Sequence, residues 1–137
     1  MFEKLTGSLR LREKALDAAW LRNEVIAHNI ANVDTPGFKK STVEFEEHLE
    51  NALGSGSFKG FTTDSRHIKI GSGDADSVKI RVTKNYRNLS TRLDGNNVDI
   101  DSEMASLAKN NIRYNTLVQS ISSGYQRLLS VISEGRK

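Results

Sequence analysis

The chain has 137 residues, 36% of them apolar and 27% charged, with a net charge of +3. A single small domain or one domain with arms is the expected size class, and the charge is too modest for a polyanion-wrapping protein or an acidic tail. Cysteine is absent, which removes disulfides, thiolate metal sites and cysteine nucleophiles. No apolar run approaches the ~20 residues of a membrane span, so no direct membrane span is expected. Met1 to Gly7 has no basic stretch followed by an apolar one, so a cleaved secretory signal is not expected.

Residues 1–35 read as an N-terminal helix. Leu5, Leu9, Leu16, Ala19, Ile26, Ile30 and Val33 recur at steps of three and four, with Arg12 and Asn23 as polar breaks. Pro36-Gly37 then ends the helix with the chemistry of a type II turn, which needs positive φ at its third position. Pro36 is the only proline in the chain.

Residues 36–93 read as a turn, a short amphipathic helical segment from Val43 to Leu53, and a loop-rich region with glycine and serine interspersed. Two short alternating stretches lie there, His67–Ile70 and Val78–Thr83, which Gly71 to Ser77 could join as a hairpin. This middle carries the basic excess: residues 51–97 hold 8 basic and 4 acidic side chains. The basic residues read as the solvated face of a half-buried strand, without the interleaved aromatics of a nucleic-acid stacking surface.

Residues 94–137 read as a turn, Asp94-Gly95-Asn96-Asn97, and a C-terminal helix. Asp99 is the expected N-cap, with Asp101 and Glu103 placing negative charge in the first turn. Ile100, Met104, Leu107, Asn111, Tyr114, Val118, Ile121, Tyr125, Leu128 and Ile132 form an a/d series, which predicts a coiled-coil-like seam. The two helices would be roughly 43 and 50 Å long.

Two helices pairing with each other would bury one seam apiece, yet both carry apolar residues on further faces: Leu11, Ala18 and Val25 on the first, Ala105, Ala108, Ile112, Leu117 and Leu129 on the last. Such faces mark interaction surfaces, and the preferred reading is helical arms that complete their cores between subunits. If the helices run antiparallel, residues whose numbers sum to about 134 meet, which sets Asn23 beside Asn111. That pairing places a against a, where antiparallel seams normally place a against d, so both could instead face other subunits.

No catalytic constellation is found. His28, His48 and His67 lack ligand spacing, the Asp94–Asp99 stretch lacks the glycine and glutamate of a calcium loop, and no phosphate loop or nucleophile elbow is present. No catalytic, metal or cofactor site is expected.

The run Asn29-Ile30-Ala31-Asn32, two residues, then Thr35-Pro36-Gly37-Phe38 resembles the N-terminal signature of flagellar rod, hook and hook-associated axial proteins. Asp94-Gly95-Asn96-Asn97-Val98-Asp99-Ile100-Asp101, with Glu103-Met104, Asn111, Arg113 and Tyr114, is similar to the C-terminal signature of the short, proximal rod members. The resemblance covers residues 1–50 and 90–137 and leaves the centre undefined.

That resemblance implies a mainly α fold: long N- and C-terminal helices in an antiparallel coiled-coil-like pair, with a small loop-rich centre containing a short β-hairpin. It implies a non-enzymatic structural subunit of the proximal rod, part of the drive shaft from the inner-membrane ring to the distal rod. The implied location is the periplasmic part of the basal body, reached by type III export. The implied partners are copies of itself, other rod proteins, the inner-membrane (MS) ring with its rod adaptor, and the export gate; nucleic acid is not among them. The residues expected to pack subunits are Leu9, Leu16, Ile26, Asn29, Ile30, Asn32, Pro36 and Gly37, with Met104, Leu107, Asn111, Tyr114, Val118, Ile121, Tyr125 and Leu128. Phe45 and Leu49 fit an export-gate motif of a phenylalanine, three residues and an apolar residue; the same pair also suits ordinary helix packing. The alternatives are a secreted coiled-coil adaptor of another type III-like system and a small nucleic-acid-binding protein.

Overall fold

A computed structural model describes residues 2–54, 78–84 and 93–135. Helix α1 runs Phe2–Ala31, strand β1 Ser41–Glu44, helix α2 Glu46–Gly54, strand β2 Arg81–Lys84 and helix α3 Ile100–Glu134. The chain divides into two units, one of Met1–Val43 with Val82–Lys137 and one of Glu44–Arg81.

The first unit is built on α1 against α3. Their direction is fixed by the side chains that meet: Asn29 with Glu103, Asn23 with Asn111, and Tyr125 with Glu13. The fold is mainly helical with long terminal helices packed on each other, as the sequence implies. Asn23 Nδ2 donates to Asn111 Oδ1 at 3.1 Å, so the pair predicted from antiparallel register does form. Leu9, Ala18, Ala19 and Ile26 of α1 are buried. At Gly124 of α3 an added Cβ would stand 2.6 Å from Leu9 Cδ2, which makes this a close crossing point of the two helices.

The seam of α3 is rotated from the predicted one. Leu107, Tyr114, Ile121 and Leu128 lie on its buried side as expected. Their companions are Glu103, Asn110, Leu117 and Gly124, while Ile100, Met104, Asn111, Val118, Tyr125 and Ile132 are exposed. The cause is polar. Asn110 Nδ2 reaches Ala19 O at 2.7 Å and Asn23 Oδ1 at 2.8 Å, and Glu103 accepts from Asn29. A buried polar group that finds partners is tolerated, so these residues turn inward and the apolar row turns out.

The helix ends follow local chemistry. Asp99 is the N-cap of α3 at φ −108°, its carboxylate accepting from the Asp101 and Ser102 N–H groups. After α1, Asn32 and Val33 N–H groups bond to the Asn29 and Ile30 carbonyls before the chain turns.

The two strands form one antiparallel ladder. Its makeup differs from the hairpin sketched from the sequence. The stretch at Val78–Thr83 becomes a strand at Arg81–Lys84, but its partner is Ser41–Glu44. The other stretch, His67–Ile70, lies outside the described residues. The short helix begins at Glu46 and not at Val43, which belongs to β1. In the second unit, α2 opens with Glu46 and Glu47, charges the positive helix start favours.

Candidate assembly site

The densest polar structure lies where the two signature segments meet. Thr35-Pro36-Gly37-Phe38 closes with the Phe38 N–H on Thr35 O at 3.3 Å, and Gly37 has φ +72°. That is the positive φ the type II turn requires. Gly95, at φ +82°, lies against it: a Cβ on Gly95 would be 3.6 Å from Gly37 Cα. The Gly37 N–H donates to Asp94 O at 2.8 Å, which joins the two turns.

Asn96 is the hub. It is fully buried, at 0% exposure. Its Nδ2 lies 3.0, 2.8 and 3.0 Å from the carbonyls of Asn32, Val33 and Thr35. An amide has two N–H donors and an oxygen acceptor; the donors serve the carbonyls beyond α1, and Oδ1 accepts the Val98 N–H at 2.8 Å. The Asn96 N–H itself bonds to Asp94 Oδ1. One side chain therefore satisfies the backbone left open where α1 ends.

A second set of contacts ties β1 to both helices. Asn29 is 1% exposed. It accepts the Ser41 N–H at 3.0 Å, and its Nδ2 is within bonding distance of Ser41 O at 2.8 Å and Glu103 Oε2 at 3.1 Å. Lys40 Nζ lies 3.5 Å from Glu103 Oε1. The Lys40 N–H donates to Asn97 Oδ1 at 2.7 Å, and Lys39 Nζ to Gly95 O at 2.6 Å. Arg22 Nη2 donates to Val43 O at 3.2 Å.

The residues expected to pack subunits therefore fall into three settings. Leu9, Ile26, Asn29 and Ile121 are buried inside the subunit; Leu16, Ile30, Asn32, Leu107, Tyr114 and Leu128 are half-buried; Pro36, Gly37, Met104, Asn111, Val118 and Tyr125 are exposed. Asn32 stays local, its Nδ2 donating to His28 O at 2.8 Å while its Oδ1 accepts from Thr35 Oγ1. His28 and Phe38 bring their rings to 5.6 Å. Phe45 is buried and Leu49 half-buried, and the Leu49 N–H bonds to Phe45 O at 2.8 Å.

Residue spacing does not announce the roles of Asn96, Asn97, Glu103, Asn110 and Lys40. Asn96, Asn97 and Glu103 stand out only as members of the C-terminal signature, and the amide-rich Asp94–Asn97 turn is the one local signal. At the far end of the helices, the Tyr125 hydroxyl donates to Glu13 Oε1. That bond, then the Glu13 charge and slight burial, holds the Tyr125 pKa above its usual value. Among the described residues no three His, Asp or Glu side chains group as metal ligands, and no helix is long and apolar enough to cross a membrane.

Comparison with known proteins decides which family builds this junction. The family described as flagella basal body rod protein matches residues 9–39, which holds α1 from Leu9 onward and the first glycine turn. Flagellar basal body rod protein FlgB of Bacillus subtilis is 35% identical over 131 residues, covering 96% of this chain and 97% of the relative. FlgB of Borrelia hermsii is 36% identical over 91% of this chain and 94% of its own length. FlgB of Escherichia coli is 30% identical over 98% and 99%. The chain belongs to the FlgB family of flagellar basal body rod proteins. As such it is a structural subunit of the rod and not an enzyme. Both signature segments lie within the aligned span, and in this FlgB-family fold they are one physical site.

Proposed function

We propose that this chain is a subunit of the proximal rod, part of the drive shaft between the inner-membrane ring and the distal rod, and that it assembles by packing its terminal helices against those of neighbours. The observation that carries this reading is the outward apolar row of α3: Met104 is 52% exposed, Tyr125 47%, Leu129 66% and Ile132 60%. A monomer gains nothing by exposing such a row along a 35-residue helix, whereas contiguous exposed apolar surface suits an interface. The glycine-turn junction holds the two helices in one register and so presents the row in a fixed geometry.

Its neighbours are then other rod proteins, the inner-membrane (MS) ring and its rod adaptor, and the site is periplasmic. Export from the cytoplasm proceeds through the type III gate. Phe45 and Leu49 fit the gate motif, and because Phe45 is buried in the folded chain, recognition would precede folding.

The test is complementation of a strain lacking its own FlgB. Replacing Met104, Val118 and Leu129 by Ser should leave secretion intact and empty the rods of the protein; wild-type incorporation would refute the packing face. Replacing Phe45 and Leu49 by Ala should hold the protein in the cytoplasm, and undiminished secretion would end the export role.

A further inference from the structure

One peptide bond in the glycine-turn junction carries latent chemistry of its own. Asp94 is the one aspartate or asparagine in the chain that is followed by glycine. Such a pair is prone to ring closure, because glycine has no side chain to keep its nitrogen from the aspartate carboxyl. The Gly95 nitrogen loses its proton and bonds to Asp94 Cγ, one carboxyl oxygen leaves as water, and a five-membered succinimide forms. Water then opens the ring. Addition at Cγ restores aspartate; addition at the former backbone carbonyl leaves the nitrogen on Cγ and gives isoaspartate. One water leaves and one enters, and nothing is oxidised or reduced.

The fold holds the groups that this reaction must move. Asp94 O accepts the Gly37 N–H at 2.8 Å, which fixes the Asp94–Gly95 peptide. Asp94 Oδ1 accepts the Asn96 N–H at 3.0 Å, which ties the carboxyl to the residue beyond its target. Gly95 O accepts from Lys39 Nζ at 2.6 Å, and Gly95 is set at φ +82°. Ring closure needs the nitrogen and the carboxyl carbon in a near-attack arrangement. To reach it the carboxyl must swing and the peptide must twist, against the first two bonds, so closure waits on local opening of the junction. The product does not fit the junction either. In isoaspartate the backbone runs through Cβ and Cγ and is one atom longer, while the carbonyl that met Gly37 becomes a free carboxylate. The turns already touch, a Cβ on Gly95 standing 3.6 Å from Gly37 Cα, so the lengthened turn must shift Gly95 or lose the Gly37 bond.

We propose that Asp94-Gly95 is an isoaspartate-forming modification site that the junction closes in the folded chain. In the unfolded chain the site is open, and a chain that has isomerised there no longer closes the junction. The inference goes beyond the rod reading and stands without it, since it concerns the covalent state of the single chain before any assembly.

The test ages the purified full chain in warm neutral buffer and, in parallel, in enough urea to unfold it. An isoaspartyl methyltransferase, which moves a methyl group from S-adenosylmethionine to the isoaspartate carboxylate, counts the product. Peptide mass spectrometry with electron-transfer fragmentation places it. Product at Asp94 should build up roughly tenfold or more faster in urea than in buffer, as expected when reaction needs an opened junction. Equal rates would overturn the protection. Asp94→Glu aged in urea should lose most of the signal, because its ring would have six members and closes far more slowly. A signal that survives that change sits at other residues and would overturn the assignment of the site. In buffer, Lys39→Met, with its helix content confirmed by circular dichroism, should raise the folded-state rate roughly threefold or more, in keeping with the loss of one hydrogen bond. A rate equal to wild type would refute the part given to the junction. Chain carrying isoaspartate at position 94, separated by chromatography and refolded, should show a lower urea midpoint than the aspartate form, and an unchanged midpoint would refute the misfit of the product.

Discussion

The two ends of the helix pair solve opposite problems. At the junction end, Asn29, Asn96, Asn97 and Glu103 are buried, polar and bonded to backbone or to one another. Toward the far end, Val118, Tyr125, Leu129, Val131 and Ile132 are apolar and exposed. A protein optimised as a monomer would do the reverse. Polar groups are buried only with partners, and here they lock geometry at the one place where chain direction changes. The apolar groups stay outside, where another subunit can cover them.

The sharpest way to break the comparison is to remove the junction hub. Asn96→Ala leaves the carbonyls of Asn32, Val33 and Thr35 without their buried donor and the Val98 N–H without its acceptor. Unsatisfied buried groups cost about 1–3 kcal/mol each, so a loss of about 3 kcal/mol is expected after partial relaxation. Urea unfolding of the purified chain reads it. A change under about 1 kcal/mol would mean that the junction is not a stability centre.

A pair of substitutions on α3 separates inside from outside. Ile121 is buried and Val118 is 40% exposed. Ile121→Ser should destabilise the isolated chain by roughly 2–3 kcal/mol, the value of a buried aliphatic side chain. Val118→Ser should shift stability by no more than about 0.5 kcal/mol and yet reduce incorporation into rods. Equal effects on the folding of both would erase the distinction between seam and outer row.

Gly37→Val tests the turn itself. Space is not the obstacle, since nothing lies within 4 Å of a Cβ there, but φ is +72°. A left-handed conformation costs an L-residue about 1–2 kcal/mol, more for a β-branched one. A modest fall in unfolding free energy with a marked loss of motility is expected, because the turn sets the direction in which the chain leaves α1.

Much of this arrangement is written in residue spacing. The 3.6-residue period marks both long helices, Pro36-Gly37 marks the turn, Asp99 marks the cap, and antiparallel counting brings Asn23 to Asn111. The rotation of α3 escapes the same reading. Hydrophobic period treats apolar as inward, and Glu103 and Asn110 defeat that rule because each finds a partner on α1. The strand pair escapes for another reason. Ser41–Glu44 is four residues long and bonds to Arg81–Lys84, a contact far along the chain that no local pattern announces.

Asn110→Leu tests what the inward amide is for. Its Oδ1 is buried without a hydrogen-bond partner among the described residues, while its Nδ2 serves Ala19 O and Asn23 Oδ1; relief of the first offsets loss of the second, so an apolar replacement should move stability by no more than about 1 kcal/mol. A buried amide in a helical seam can fix register at a cost in stability. Spin labels placed at Asp17 and Thr116, both exposed, should show a single distance in the wild type and a broader distribution in Asn110→Leu. A single unchanged distance would assign register to the glycine-turn junction alone.

The smallest effect belongs to the far end. The Tyr125 hydroxyl bonds to Glu13, and its pKa is raised above the usual ~10 of an unfolded tyrosine, first by that bond and then by the Glu13 charge. A raised pKa on an acid means that the folded chain holds the proton more tightly than the unfolded one. The contribution to stability is therefore complete below pH ~10 and is lost as pH rises through the raised value. Tyr125 is solvent-exposed, so the effect is small and should show only as a difference between wild type and Tyr125→Phe. The wild type should have the higher urea midpoint at pH 8, and that advantage should shrink above pH ~10. Phenolate absorbance supplies the direct measurement: with three tyrosines in the chain, subtracting the variant's titration isolates Tyr125. Its midpoint should lie above the ~10 of an unfolded tyrosine, and a midpoint at or below that value would show that Glu13 does not hold the hydroxyl in solution.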